Sequence, residues 1–162
     1  MIVVSDTGPL IAFAKADRLS ILEDLFGQVR IPPVVHRELL AGRRSEAARL
    51  DESLGRFIQV VQPSPPLSRV QAEILRLDPG ERQAIALAYE LGVPLVIDDR
   101  LGRAAARRLD LTVAGTVGVL IRAKEVGLVP AVCPLLDEIR QRGYWLSEAL
   151  LETAAKLAGE KR

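Results

Sequence analysis

Short apolar runs alternate with helical segments along the whole of this chain, and this alternation limits the fold more than any other feature of the sequence. The runs at residues 2–5 and 94–97 lack the polar alternation of a half-exposed strand, so they are typical of strands covered on both faces. Runs at residues 29–31, 58–61 and 112–114 predict three more strands. Parallel strands need a crossover connection, usually a helix, so the alternation predicts an α/β fold with a mainly parallel sheet.

Ten helical segments are predicted between and after the strands. They are residues 10–15, 19–26, 34–40, 44–54, 67–77, 81–91, 100–108, 116–126, 134–142 and 147–158. A length of 162 residues suits one domain, so we expect residues 1–162 to form a single unit with residues 143–162 as a helical tail packed on it. The Pro-rich stretch at residues 63–66 is expected to be an internal loop, because neither half of the chain alone would have a complete sheet.

Composition excludes several classes of protein. The net charge is only +1, from 22 Lys and Arg against 21 Asp and Glu, so there is no global electrostatic footprint for nucleic acid. Cys133 is the single cysteine, which excludes an internal disulfide framework and a cysteine-based zinc site. No apolar run approaches the roughly 18 to 20 residues that span a bilayer, and residues 1–14 lack the features of a signal peptide. We therefore expect a cytoplasmic protein without a membrane partner.

Carboxylates follow two of the predicted strands at their carboxyl ends. Asp6 follows the first strand, and Asp98 and Asp99 follow the later apolar strand. Because ligands bind beyond the carboxyl ends of parallel strands, we expect these acids to face one crevice. An isolated Asp in such a position is better explained as a helix cap, whereas two strand-end acids favour a site. Glu38 and Glu81 are further candidates. An exposed helix face explains Glu38 equally well, and an acid that complements the helix dipole in the first turn is a strong explanation of Glu81.

Clustered carboxylates predict a divalent metal ion. Four or five of them in one place repel one another unless a cation lies between them. Mg²⁺ and Mn²⁺ prefer hard oxygen ligands and leave coordination positions for water and substrate phosphate. Such ions activate water and stabilise the attacking and leaving oxygens of a phosphodiester displacement. The acids therefore favour chemistry on a carboxylate-bound divalent metal over any use of the lone His or Cys.

A row of arginines directly follows the last acids. Its members are Arg100, Arg103, Arg107 and Arg108. Their spacing places them on roughly one face of the helix predicted at residues 100–108. Such a row can hold phosphates beside a metal, and a solvated basic face explains the spacing about as well. Arg43 and Arg44 form a second small cluster just past Glu38.

Five stretches of this sequence resemble the PIN-domain superfamily of metal-dependent nucleases. The resemblance is closer to a bacterial and archaeal PIN-like branch that was long described as a domain of unknown function. The stretches are VVSDTGPLIAFAK, IPPVVHREL, DPGERQAIALA, LVIDDRLGRAAARRL and TVAGTVGVLIRAKEVGLV, followed by the tail YWLSEALLETAAKLAGE. They cover most of the chain in the family's order. The resemblance implies a three-layer α/β/α sandwich whose central, mainly parallel sheet carries acids at its carboxyl edge.

The resemblance also implies roles for individual acids. The catalytic acids that it implies are Asp6, Glu38, Glu81 and Asp99, and the metal ligands are Asp6, Asp99 and Asp98. Many toxin-type relatives have Asp where this chain has Glu81. Relatives often have Thr two residues before the last acid, where this chain has Ile97. The sequence leaves open which of Asp98 and Asp99 faces the metal, and we favour Asp99.

The function implied by the resemblance is hydrolysis of RNA by an endoribonuclease that uses Mg²⁺ or Mn²⁺. Toxin-type relatives further imply an antitoxin protein as a partner. The alternative is a non-catalytic PIN-like module that binds RNA or a protein; the retained acids count against it, whereas the low net charge keeps it open.

Related PIN domains commonly dimerise, so we expect a homodimer through apolar helix faces. The residues expected on those faces are Leu10, Ile11, Leu22, Leu25, Leu146, Leu150, Leu151 and Leu157. Light scattering that reports a monomer mass in solution would contradict the dimer.

Overall fold

The computed structural model describes residues 1–42 and 45–162, and its central layer is a parallel sheet of five strands. The strands are β1 (Ile2–Ser5), β2 (Gln28–Ile31), β3 (Ile58–Val60), β4 (Leu95–Val96) and β5 (Val113–Ala114). All four strand pairings are parallel, in the order β3-β2-β1-β4-β5. Each strand lies within or overlaps an apolar run that predicted it, so the α/β class and the parallel sheet are confirmed.

Ten helices occur within the described residues, and each overlaps a predicted helical segment. They are α1 (Thr7–Lys15), α2 (Ser20–Phe26), α3 (Pro33–Ala41), α4 (Ala47–Ser53), α5 (Ser68–Ile74), α6 (Pro79–Leu91), α7 (Arg100–Arg108), α8 (Thr116–Glu125), α9 (Cys133–Gln141) and α10 (Glu148–Ala158). The clearest difference is in α5, which ends three residues before the predicted position. The N–H of Leu77 donates to the carbonyl of Ile74 there, and this turn leads directly into α6.

Two apolar clusters, one on each face of the sheet, make the fold a three-layer sandwich. Successive side chains of a strand point to opposite faces, and along β1 Val3 joins one cluster while Val4 joins the other. The Val3 cluster contains residues from α1 to α4 and from α8 to α10. The Val4 cluster contains residues from α5, α6 and α7. The predicted α/β/α layering is therefore confirmed.

The strand order creates one position where a ligand site is expected. From β1 the chain runs outwards to β2 and β3 on one side, and then crosses over to β4 on the other side of β1. Ligands of open α/β sheets bind at such a switch point, beyond the carboxyl ends of the two strands. Ser5 and Val96 are in register there, and the N–H of Asp6 donates to the carbonyl of Val96 at 2.9 Å. The acid that follows β1 is thus fixed at the switch point by sheet hydrogen bonding.

The helical tail packs against the body of the domain. Helix α10 contacts α8 and α9, and it ends at Gly159 in the left-handed conformation. The Glu160 carboxylate then accepts hydrogen bonds from the backbone N–H groups of Val132 and Cys133 at 2.7 and 2.9 Å. Lys124 Nζ donates to the same carboxylate at 2.8 Å. These bonds hold the end of the tail at the start of α9.

Most of the apolar residues expected at a dimer interface belong to the chain's own core. Leu10, Ile11, Leu22, Leu146 and Leu151 are buried, and Leu25 is half-buried. Leu150 and Leu157 remain exposed on α10. The homodimer stays a prediction, and α10 is the element on which it now rests. In the described part of the chain, no helix has both the length and the apolar character needed to cross a bilayer.

Candidate active site

Six carboxylates from β1, α3, α6 and the end of β4 lie at the carboxyl edge of the sheet. They are Asp6, Glu38, Asp78, Glu81, Asp98 and Asp99. Three follow the ends of the adjacent parallel strands β1 and β4, two lie at the start of α6, and Glu38 comes from α3. The sequence predicted five of these six side chains, and Asp78 was the one it missed.

Asp6 is the acid most affected by this environment. Its side chain lies at the switch point, and only 8% of the residue is exposed. Burial is the largest cause that raises the pKa of Asp6, to about 7. The negative charges of Asp78, Glu38 and Asp98 raise it further, against a lowering hydrogen bond from the Thr7 backbone. Burial and nearby negative charge therefore both disfavour the ionised form of Asp6.

Glu38 points into the site and not outwards from α3. The Thr7 hydroxyl donates to Glu38 Oε2 at 2.9 Å, which joins α3 to the first turn of α1. On its other side, the Glu38 carboxylate lies against the backbone of Gly80, and a Cβ at that position would overlap it. Glycine at residue 80 therefore lets the Glu38 carboxylate lie directly against the start of α6.

Asp98 is held by three hydrogen bonds from two other segments. Its carboxylate accepts from the backbone N–H and the hydroxyl of Thr116 at 2.6 and 2.7 Å, and from the Tyr144 hydroxyl at 2.5 Å. A Cβ at Gly115 would lie 2.7 Å from Asp98 Oδ1, and one at Gly8 would lie 2.8 Å from the Tyr144 hydroxyl. Glycines at these two turns therefore let the carboxylate and the phenol lie directly against backbone.

Asp99 has a different position from Asp98. Its carboxylate accepts from the N–H of Gly102 at 2.7 Å and so caps α7. Burial is the largest cause that raises the pKa of Glu81, and the charges of Asp78 and then Asp99 raise it further. Successive residues at the end of an extended strand point in opposite directions, so only one of the two can face Asp6. The charge of Asp98 is among those that raise the pKa of Asp6, whereas the charge of Asp99 acts on Glu81. Which of the two faces a metal stays a prediction, and the proximity to Asp6 favours Asp98.

Asp78 and Tyr144 are the site residues that the sequence did not reveal. Asp78 forms a capping box with Glu81: the Glu81 N–H donates to Asp78 Oδ1 at 2.8 Å, and the Asp78 N–H donates to Glu81 Oε2 at 3.3 Å. The stretch Asp-Pro-Gly-Glu signals that cap, and nothing local signals its proximity to Asp6. Tyr144 comes from the loop before α10, 46 residues from Asp98. Burial, the Asp98 charge and their hydrogen bond raise the pKa of Tyr144, so it remains a donor.

The arginines of the row differ in their exposure and in their contacts. Arg103 is half-buried, and its Nη1 donates to the backbone carbonyl of Asp98 at 2.8 Å, so this residue supports the acid-bearing turn. Arg100 and Arg107 are exposed. Helix α7 leads away from the site, and its rise places Arg107 about 10 Å farther along the axis than Arg100. Arg43 and Arg44, the second predicted cluster, lie outside the described residues.

The carboxylates of this site suit a hard divalent cation whose remaining coordination positions are filled by water and substrate. Carboxylate oxygens are the ligands that Mg²⁺ and Mn²⁺ prefer. Asp98 is close enough to Asp6 for its charge to raise the pKa of Asp6. Within residues 1–42 and 45–162, no three His, Cys, Asp or Glu side chains converge as a complete metal-binding group. Mg²⁺ commonly takes one or two protein carboxylates and fills its remaining positions with water and substrate phosphate. The arrangement fits that mode and not an all-protein cage.

We expect Tyr144→Phe to lower metal-dependent activity by roughly 10- to 100-fold, the usual effect of removing a partner that orients a metal ligand. The change removes the hydroxyl that donates to Asp98 and leaves the aromatic ring in place. Titration of the divalent ion in an activity assay measures the effect as a higher metal requirement. Tyr89→Phe is the matched control, because Tyr89 packs against the Val4 cluster near the C-terminal end of α6. Equal activity of the two variants would contradict the prediction.

Comparison with known proteins points to one family. A family model described as a PIN domain matches residues 2–160. Among solved structures, the chain is similar to a PilT N-terminus domain protein from the hyperthermophilic archaeon Sulfolobus solfataricus P2, with a TM-score of 0.52 and 15% identity. That similarity covers 91% of this chain and 98% of the archaeal chain, and at this identity it concerns the fold alone. Comparison with curated proteins gives no match.

Proposed function

Because this chain belongs to the PIN-domain family, whose members are generally nucleases that use divalent metals, we propose that it is a metal-dependent endoribonuclease. The observation that carries the proposal is the buried Asp6 at the switch point, beside Asp98 and Glu38. The Asp6 carboxyl is costly to ionise in this position without a compensating cation. A divalent ion with a phosphate oxygen of the substrate supplies that compensation.

In the proposed mechanism, Asp6 and Asp98 hold Mg²⁺ or Mn²⁺, and Tyr144 and Thr116 keep the Asp98 carboxylate in place. The bound ion supplies a more acidic water and charge stabilisation for a phosphodiester displacement. Glu38, oriented by the Thr7 hydroxyl, is placed to orient the attacking water.

Glu81 has a separate role in this proposal. Burial and the charges of Asp78 and Asp99 raise the pKa of Glu81, so its carboxyl group retains a proton more readily than an ordinary Glu. A protonated carboxyl can act as a general acid towards the leaving oxygen. Asp99, the cap of α7, contributes by holding the start of that helix and by favouring the protonated form of Glu81.

RNA as the substrate and an antitoxin as a protein partner are part of the same proposal. Both come from the resemblance to toxin-type PIN domains, and a cytoplasmic location follows from an RNA substrate. The positive charge near the site is local: Arg100 is exposed at the start of α7, directly after the acids. The second candidate is a non-catalytic PIN-like binding module. The three hydrogen bonds to Asp98 favour it, because an acid with a purely structural role is satisfied in the same way.

The test is incubation of end-labelled single-stranded RNA with the protein in Mg²⁺, in Mn²⁺ and in EDTA. We expect internal cleavage with either metal, none in EDTA, and none with Asp98→Asn in any buffer. Single-stranded DNA of the same sequence shows whether the sugar matters. RNA that binds but stays intact with both metals would contradict the nuclease and support the binding module.

We expect Arg100→Ala to weaken binding of single-stranded RNA and to reduce the salt dependence of the binding constant by about 0.7 in log–log slope, the value for one phosphate contact. Arg107→Ala should change that slope less, because its guanidinium lies about one and a half to two helical turns farther from the acids. Titration of labelled RNA at several salt concentrations measures both slopes. Arg122→Ala, in the last turn of α8, controls for the loss of one positive charge. Equal slopes for Arg100→Ala and Arg122→Ala would show that Arg100 is ordinary surface.

A further inference from the structure

An exposed aromatic ring directly follows Tyr144, the residue that contacts Asp98, in the loop between α9 and α10. Trp145 is 81% exposed, and it is the single Trp of the sequence. Its two neighbours point inwards: the Tyr144 hydroxyl donates to Asp98, and Leu146 is buried. The indole is therefore held at the surface by the anchoring of the residues on either side of it.

The segment that carries this ring is fixed at both ends. Gly143 has a φ of 102°, which favours glycine, and the N–H of Tyr144 donates to the carbonyl of Ile139 at 3.2 Å. On the other side, the Ser147 hydroxyl oxygen accepts from the N–H of Leu150 at 3.1 Å and caps α10. A ring on a segment constrained in this way loses little conformational freedom when a ligand binds.

We propose that Trp145 is a nucleobase-binding platform, on which an unpaired base of single-stranded RNA stacks while the neighbouring phosphate lies at the acids. The inference rests on the proposed function and specifies how its substrate is bound. Consecutive Cα atoms are about 3.8 Å apart, so the ring starts one residue from the phenol that contacts Asp98. Bases of a duplex are already stacked, so the platform selects single strands.

The charge of the site explains why such a platform is needed. Six carboxylates at the sheet edge repel an RNA backbone, and the whole chain carries a net charge of only +1. Stacking of a base on an aromatic ring is uncharged and is tolerant of sequence, because every base has a π-face. It therefore adds affinity that does not depend on phosphate contacts.

The experiment uses the single Trp as its own reporter, in Asp98→Asn protein so that RNA is not cut. We expect quenching of Trp fluorescence by single-stranded RNA, and none at saturation by an abasic oligomer of the same length. In the same background, Trp145→Ala should weaken RNA binding by about 5- to 150-fold, the range for loss of one stacked base. Trp145→Phe should stay within about threefold of Trp because it keeps a stacking ring. Trp145→Leu separates stacking from apolar contact, and we expect it to resemble Ala.

The outcomes separate this inference from the function on which it rests. The unmodified protein could cleave RNA while Trp fluorescence does not change on RNA binding and Trp145→Ala binds RNA with unchanged affinity. That result would overturn the platform and leave the nuclease intact. Equal quenching by the abasic oligomer would also overturn it, because the contact would then be to the backbone. A dimer in light scattering that Trp145→Ala converts to a monomer would assign the ring to a second copy of the chain instead. If RNA is neither bound nor cut, the proposed function itself fails.

Discussion

Replacing Asp98 with Asn is expected to lower RNA hydrolysis by more than about 100-fold, beyond the usual loss from a residue that only orients a metal ligand. The amide has nearly the shape of the carboxylate but no charge, so it cannot replace a ligand that compensates a divalent ion. Its carbonyl oxygen can still accept from the N–H of Thr116, and the hydroxyls of Thr116 and Tyr144 can turn to accept from its NH2 group, so the fold should survive. The structure makes Asp98, and not its neighbour, the partner of Asp6.

Asp99→Asn is the matched control, one residue away and chemically identical. Asn and Asp are about equally good N-caps, so the hydrogen bond from the N–H of Gly102 should persist. The change removes only the effect of the Asp99 charge on Glu81, which is smaller than the effects of burial and Asp78, so activity should fall far less than with Asp98→Asn. Initial rates on labelled RNA at saturating Mg²⁺ measure both effects, and circular dichroism checks the fold. The reverse result, with Asp99→Asn inactive and Asp98→Asn active, would return the metal to the residue favoured from sequence alone.

Replacing Asp6 with Asn is expected to stabilise the metal-free protein at pH 8 by up to about 4 kcal/mol, and to change its stability little at pH 4. The pKa of Asp6 is raised from 3.8 to about 7 by burial first and by neighbouring carboxylates second. The folded state therefore holds this proton more tightly than the unfolded chain does. The resulting stability is present below the unfolded pKa and is lost as the pH rises through about 7. Asn is neutral at every pH and avoids that loss.

Thermal melts of both proteins in EDTA, at several values from pH 4 to pH 8, measure this difference. For a chain of this length, we expect it to reach roughly 10 °C in Tm at the alkaline end. Mn²⁺ added at pH 8 should raise the Tm of the unmodified protein and leave Asp6→Asn unchanged, because binding to the folded state alone stabilises it. If the Tm values of the two proteins shift in parallel with pH, or shift equally with Mn²⁺, Asp6 is an ordinary structural acid.

The sequence by itself determined the elements and their order. Within residues 1–42 and 45–162, all five strands and ten helices overlap predicted segments, because apolar runs, helix caps and turn residues act over a few neighbouring positions. The acids that end β1 and β4 could be placed at one edge of the sheet without coordinates, because parallel strands share a carboxyl edge. The resemblance to the PIN domain also came from local stretches, and the family match over residues 2–160 confirms it.

Only the tertiary structure decided which side chains meet. Asp98 faces Asp6 because of the direction in which β4 ends, and adjacent identical residues carry no sequence signal for that choice. Tyr144 reaches Asp98 across 46 residues because the tail packs on the body of the domain, and the same packing buries Leu146 and Leu151, which had been expected at a dimer interface. Short-range patterns report the conformation of a segment. Contacts between distant segments depend on how the layers pack together, and that packing is a property of the whole chain.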